Sequence, residues 1–295
     1  MKTFKIKNKN HAKISTTQIT ALLAILLLTF FGAGCLGQNT DDGTIAVSGS
    51  TSVLPLAQTL SENYMRENTD VIISVKGGGS GTGIAELIDG SNNIAMSSRE
   101  IKDSEISNAG AKGINPVEHE IAKDGIAVII HPSNPVPALT LDQLQKIYSG
   151  EIKNWKEVGG EDAEIAAIAR DSSSGTQEFF KEAVMGEISF RNDLITQSAT
   201  GAVTQEVSQN PKAVGFIGAA YQNNAVKTVG IESGGTTVTP TEENILNGKY
   251  PLSRSLYLYT DKNTKTAASE FIEYILSADG QKVVSEMGYA PLKKA

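Results

Sequence analysis

The chain is poor in the residues that build most cross-linked and catalytic sites. A single cysteine, Cys35, among 295 residues leaves no internal disulfide to form and no paired-cysteine motif. Of three histidines, only His119 and His131 lie beyond residue 34. Their spacing is not that of metal ligands, so both are read as structural. No Gly-x-Ser-x-Gly surrounds Ser80 or Ser174, which removes the nucleophile-elbow signature of hydrolases. The glycine-rich run 77–83 lacks the Gly-Lys-Ser/Thr ending of a P-loop, which argues against a nucleoside triphosphatase. The one tryptophan, Trp155, is read as a packing residue. Basic residues are outnumbered, 26 against 33 acidic, which argues against a nucleic-acid partner. No coiled coil or long apolar seam follows residue 34, so a monomer is expected. No metal, cofactor or catalytic constellation is implied.

The N-terminus carries a different pattern. Lys2, Lys5, Lys7, Lys9 and Lys13 precede an apolar stretch at 21–31, and Gly32-Ala33-Gly34 leads directly into Cys35. A cationic start, a short apolar segment and small residues at a cleavage point are the parts of a secretory signal. The stretch is shorter than the roughly 20 apolar residues of a membrane span. Small residues before the cysteine resemble a lipobox, with Gly32 where a larger aliphatic residue is commoner. The expectation is a signal peptide at 1–34, lipidation at Cys35, and a polar tether over 35–43 that holds the domain outside the cytoplasmic membrane. Loss of the five signal lysines takes the net charge from −7 to −12.

The remaining 261 residues alternate short β-rich segments with helical patterns, which predicts an α/β fold with largely parallel sheets. Strands are expected at 44–47, 71–75, 93–96, 126–131, 165–169, 213–217 and 255–259. Leu141, Leu144, Ile147 and Tyr148 follow the helical period, with Thr140 as N-cap and Gly150 as terminator. Thr239-Pro240-Thr241-Glu242 reads as a capping box with proline at the first helical position. A C-terminal helix is expected to stop near Gly280.

Three stretches rich in Gly, Ser and Thr each follow an expected strand and run into an expected helix: Gly49-Ser50-Thr51-Ser52, the run 77–83, and Arg170-Asp171-Ser172-Ser173-Ser174-Gly175-Thr176. A helix N-terminus presents unpaired N–H groups and the positive end of the helix dipole, so such loops are suited to an oxyanion. Taken singly, each is also what a tight turn with a helix cap looks like. The acidic net charge does not oppose the anion reading. Charges beyond about 8 Å are largely screened at physiological salt, whereas each charge-assisted hydrogen bond inside a site contributes roughly 1.5–3 kcal/mol.

These residues, taken together, resemble the phosphate-binding receptors of ABC-type phosphate importers. Gly49-Ser50-Thr51-Ser52-Val53-Leu54-Pro55-Leu56 is similar to the family's first anion loop, Gly78-Gly79-Ser80-Gly81-Thr82-Gly83 to its second, and Met96-Ser97-Ser98-Arg99-Glu100 to a third. Lys123-Asp124-Gly125-Ile126-Ala127-Val128 resembles the segment crossing between lobes, and Tyr250-Pro251-Leu252-Ser253-Arg254 the return crossing. Arg170 with Ser174-Gly175-Thr176 meets the pattern Arg-x-x-x-Ser-Gly-Thr. The resemblance covers nearly all of the chain after the signal, in family order.

It implies a two-lobed α/β fold of the periplasmic-binding-protein-like type II class, with the ligand in the cleft. Lobe 1 would comprise 44–125 and 255–295, and lobe 2 126–254. It also implies an extracytoplasmic solute receptor, not an enzyme, that delivers phosphate to the membrane subunits of an importer. Thr51, Ser80, Ser174 and Thr176 would donate hydroxyls, Ser52 and Gly175 N–H groups, and Arg170 a charged fork. The best-known members place an aspartate in the third loop, where it accepts the proton of bound phosphate and so excludes sulfate. Here that position is Ser98, which can accept from phosphate but can also donate to sulfate. A carboxylate from Asp124 or Asp171 could supply the discrimination. Asp124 is favoured for its place at the crossing, and Asp171 alternatively orients Arg170. Arg99 is either a second ligand or one half of a surface ion pair. The alternatives are a receptor for sulfate, molybdate or another tetrahedral oxyanion, a signalling receptor with the same pocket, and a secreted phosphatase using Ser80 or Ser174.

Overall fold

The computed structural model describes residues 44–292; the signal segment 1–34, Cys35 and the tether up to residue 43 lie outside them. The first three strands, β1 (Thr44–Gly49), β2 (Ile72–Gly77) and β3 (Ile94–Ser97), are parallel in the order β2-β1-β3. They alternate with helices α1 (Leu54–Glu67), α2 (Ser80–Ile88) and α3 (Asp103–Ala111). The long strand β4 (Pro116–Ile130) follows, then β5 (Ala138–Thr140), α4 (Leu141–Ser149), β6 (Ala166–Arg170), α5 (Gly175–Phe180), β7 (Ile195–Gln197), α6 (Thr200–Gln209) and β8 (Ala213–Gly218). The chain ends with β9 (Lys227–Ser233), β10 (Thr236–Val238), α7 (Glu242–Leu246), β11 (Ser253–Asp261), α8 (Thr266–Leu276) and α9 (Ala278–Glu286).

A second parallel set, β8-β6-β7, lies beyond β4. Between the two sets run the crossing strands β4 and β11, antiparallel to each other, with Asp124 directly opposite Arg254. At Gly125 and Ile126 strand β4 changes partner. Its first part pairs with β11, and Ile126–Ile130 pairs with β8. The second part is an unbroken buried apolar run, as a strand covered on both faces should be. The polar first part, Pro-Val-Glu-His-Glu-Ile, hides its strand character from a search for apolar runs.

Among the described residues the buried hydrophobics form two large clusters and a smaller third one that includes Ile84, Leu87 and Tyr259. One large cluster gathers Ile45, Leu56, Leu60, Leu256, Phe271 and Ile275 around β1 and α1. The other centres on Tyr148, Trp155, Phe180 and Phe216, where Phe180 and Phe216 stack at 4.0 Å with Tyr148 edge-on to both. Trp155 is buried there and donates Nε1–H to the Lys212 carbonyl at 2.9 Å, in keeping with its packing role.

Local signals act where they were expected at α4. Thr140 accepts from the Gln143 N–H at 3.0 Å in a capping box, and Gly150 terminates the helix with φ +85°. Two expectations need correction. The cap of α7 is Thr241, which accepts from the Asn244 N–H at 3.2 Å; Thr239 lies two residues earlier, where its carbonyl accepts from the Thr241 N–H. The C-terminal helix breaks at Ser277, not near Gly280, because the Ser277 hydroxyl caps a new helix by accepting from the Gly280 N–H.

Gly280 sits inside α9, where a Cβ would collide with the carbonyl oxygens of Tyr274 and Ile275 at the end of α8. This close approach lets α8 and α9 fold back on each other. Gly280→Ala is therefore expected to destabilise the protein by about 1–3 kcal/mol, the usual cost of overpacking. Urea unfolding of the two forms checks it: a lower midpoint at unchanged slope is the expected result.

Candidate functional site

The three Gly/Ser/Thr stretches occupy equivalent places, each joining the carboxyl end of a strand (β1, β2, β6) to the start of a helix (α1, α2, α5). The third-loop residues Ser97 to Arg99 leave the end of β3 beside them. All converge on one buried polar cluster. Ser52, Ser80, Ser98, Arg170, Ser174 and Thr176 are each at most 4% exposed, an unusual density of polar atoms for a protein interior.

The cluster is stitched together by hydroxyl contacts. Ser50 Oγ donates to Ser98 Oγ at 3.1 Å, and the Ser98 N–H donates to Ser80 Oγ at 3.1 Å. Gly175 packs directly against this pair, since a Cβ there would strike Ser80 Oγ and lie 2.8 Å from Ser98 Oγ. Only glycine permits that approach. Ser52 Oγ and Thr176 Oγ1 share a hydrogen bond of 2.9 Å, and Thr51 Oγ1 and Thr200 Oγ1 one of 3.1 Å. Ser174 caps α5 by accepting from the Gln177 N–H at 3.3 Å, which leaves its own proton to donate. Further contacts join residues of the first two loops to those after β6. The Gly81 N–H donates to the Ser173 carbonyl at 2.9 Å, and Ser173 Oγ to the Gly78 carbonyl at 3.1 Å. Lys102 and Glu178 form an ion pair of 3.0 Å nearby.

Two guanidiniums and one carboxylate lie within this shell. Arg254 donates from Nε and Nη2 to Asp124 Oδ2 at 3.1 and 2.9 Å, and from Nη1 to Thr176 Oγ1 at 3.0 Å and the Ser98 carbonyl at 3.2 Å. The Ala219 N–H donates to Asp124 Oδ1 at 3.1 Å. Burial pushes the Asp124 carboxyl upward, opposed by the Arg254 charge and these hydrogen bonds. Arg170 makes no ion pair among the described residues; its nitrogens go to the Gln197 and Ser198 carbonyls and to Thr200 Oγ1. Burial lowers the Arg170 guanidinium from its ordinary value, with the Arg254 charge acting the same way and Asp171 opposing. Counted by hydrogen bonds alone, two guanidiniums face the one carboxylate of Asp124, while Asp171 acts on Arg170 through its charge.

The structure thus gathers Thr51, Ser52, Ser80, Ser98, Arg170, Ser174, Gly175 and Thr176. Asp124 joins them through Arg254. Asp171 stands apart, its carboxylate taken by the Ser173 N–H at 2.8 Å and not by the Arg170 guanidinium. Arg99 proves to be half of an ion pair, bidentate to Glu105 at 2.7 and 2.8 Å, though largely buried. His119 bonds Thr260 at 3.0 Å and His131 bonds Ser133 at 2.8 Å, so neither is bonded to Ser80 or Ser174.

Sequence reasoning gave no role to Arg254 or Thr200. Arg254 stood in the return crossing between Ser253 and Ser255, just before the apolar run Leu256–Tyr259, where an arginine was a usable signal. Thr200 belongs to Ser198-Ala199-Thr200-Gly201, a fourth Gly/Ser/Thr stretch between a strand and a helix, preceded by a strand of only three residues.

A sequence model described as a PBP superfamily domain matches residues 37–279. The phosphate-binding protein PstS of Bacillus subtilis (strain 168) is 33% identical over 259 residues, covering 87% of this chain and 83% of that protein. PstS of Borreliella burgdorferi is 33% identical over 281 residues, covering 92% and 98%. Among solved structures, a Clostridium perfringens protein crystallised with bound phosphate, described as a substrate-binding protein of a phosphate ABC transporter, superposes with a TM-score of 0.78. It is 35% identical, over 85% of this chain and all of that one. An ABC-type phosphate transport receptor from Vibrio cholerae gives a TM-score of 0.68 at 34% identity, over 83% and 98%. The fold, the order of the loops and these likenesses agree, and the chain belongs to the PBP superfamily and, within it, to the family of PstS phosphate-binding proteins.

Proposed function

We propose that this protein captures inorganic phosphate in the buried hydroxyl-lined cleft and delivers it to an ABC-type phosphate importer. The observation that carries this reading is Arg170, a buried guanidinium bonded to two carbonyls and the Thr200 hydroxyl but in no ion pair among the described residues, linked through Thr200 to the hydroxyls of Thr51 and Ser52. An uncompensated buried charge costs several kcal/mol, and an anion among the hydroxyls relieves that cost. Relatives named phosphate-binding protein over most of the chain support the choice of anion.

The ligands in this reading are the hydroxyls of Thr51, Ser80, Ser98, Ser174 and Thr176, the N–H groups of Ser52 and Gly175, and the Arg170 fork. Lobe 1 is 44–125 with 255–295, lobe 2 is 126–254, and the hinge lies where β4 and β11 cross. The protein works as an extracytoplasmic monomer, anchored by a lipid on Cys35 after removal of 1–34. Among the described residues no helix is long and apolar enough to cross a membrane. Capture and release require no nucleophile or base, so the protein is a receptor and not a phosphatase. Asp124 sets selectivity by repelling an anion that has no proton to offer.

Calorimetric titration of protein refolded free of ligand checks the reading: one-to-one phosphate binding with little response to sulfate is expected, and equal binding of both would redirect it to a broader oxyanion receptor. Arg170→Ala should weaken phosphate binding by about 1.5–3 kcal/mol, roughly 10- to 150-fold. Asp124→Asn should narrow the gap between phosphate and sulfate affinities and, by leaving the buried Arg254 charge without its counterion, also lower the melting temperature; an unchanged affinity ratio in the folded variant would remove Asp124 from the selectivity role. No turnover of a chromogenic phosphate ester is expected.

A further inference from the structure

The three acceptors that hold the Arg170 guanidinium come from four consecutive residues at the turn between β7 and α6. Nε donates to the Gln197 carbonyl at 3.1 Å, Nη2 to the Ser198 carbonyl at 3.0 Å and Nη1 to Thr200 Oγ1 at 3.1 Å. A guanidinium has five N–H donors in one plane. Three are therefore committed here, which fixes the plane and leaves one N–H on each terminal nitrogen. Two of the acceptors are backbone atoms. Thr200 is the one side chain of the three.

Thr200 is 1% exposed and also reaches the first loop. Its Oγ1 lies 3.1 Å from Thr51 Oγ1 and 3.4 Å from Ser52 Oγ, and its N–H donates to Thr51 Oγ1 at 3.4 Å. Arg170 has no acceptor capacity, so Thr200 Oγ1 must accept from it. The Thr200 proton is then free to point at Thr51. A Thr51 oxygen that receives both the hydroxyl proton and the N–H of Thr200 has its acceptor sites filled, and it has only its own proton left to offer.

We propose that Thr200 is a positioning residue that fixes the Arg170 guanidinium and, by the direction of the Arg170 to Thr200 to Thr51 hydrogen bonds, makes Thr51 a donor toward the bound anion. The inference rests on the phosphate reading and adds to it the polarity of the site. A charge at one end orders the hydroxyl chain, and each bond in such a chain strengthens the next. The resulting surface is one of donors, matched to an anion and unsuited to a neutral ligand of the same size.

The test is phosphate titration by calorimetry of the wild-type full-length protein and the Thr200→Val and Thr200→Ser variants, with melting curves to establish folding. Val keeps the shape and removes the hydroxyl; Ser keeps the hydroxyl. Thr200→Val is expected to weaken phosphate binding roughly tenfold or more, the scale of a lost hydrogen bond to a charged group, with Thr200→Ser within about threefold of wild type. The Thr51→Val/Thr200→Val double variant should lose clearly less than the product of the two single losses. Should Thr200→Val fail to fold, Thr200→Ala takes its place. A hydroxyl-free variant binding within twofold of wild type would overturn the inference, as would Thr200→Ser binding as weakly as the hydroxyl-free form, or single losses that simply multiply. Wild-type protein that binds no phosphate would overturn the receptor reading itself, an outcome visible before any variant is compared.

Discussion

The burial of two guanidiniums beside a single carboxylate governs the rest of this structure. Moving such groups out of water is costly unless most of their donors find acceptors. The fold supplies those acceptors from several elements: Asp124 from β4, Thr176 from α5, the Ser98 carbonyl beyond β3, and the Gln197 and Ser198 carbonyls with Thr200 at the start of α6. Loops distant in sequence are thereby held to one point. The Asp124–Arg254 pair lies on the two crossing strands, in direct register, so the ion pair sits where β4 changes partner.

Strand β4 is continuous through that junction. It lends its first part to β11 and its second to β8, changing partner at Gly125 and Ile126. A rotation of one large cluster of buried hydrophobics against the other must bend this strand and β11 near the buried ion pair. The contacts between Gly81 and Ser173, Ser52 and Thr176, and Lys102 and Glu178 are those such a rotation would break.

Much of this was legible in the sequence where local chemistry and tertiary role agree. Thr140 and Gly150 bounded α4 because a capping hydroxyl and a left-handed glycine act within a few residues of themselves. The Gly/Ser/Thr loops were visible because their composition is rare and their place after a strand is fixed by the alternating pattern. What stayed hidden depended on partners far away in the chain. The first part of β4 is polar and finds its strand form only through β11. Ser277 breaks the C-terminal helix pair by a cap, while Gly280, which resembled a stop, is where two helices touch. Arg254 and Thr200 gain their roles from Asp124, Thr176, Arg170 and Thr51, none of them neighbours in sequence.

The cradle of Arg170 bears on how such sites diverge. Two of its three acceptors are peptide carbonyls, which every amino acid carries. Positions 197 and 198 are thus free to change identity so long as the turn keeps its shape, whereas position 200 must keep a hydroxyl. A comparison of residue identities would score the first two positions as drift and miss two-thirds of the device. Its persistence across relatives would have to be sought in backbone geometry, in the path the chain takes from β7 into α6.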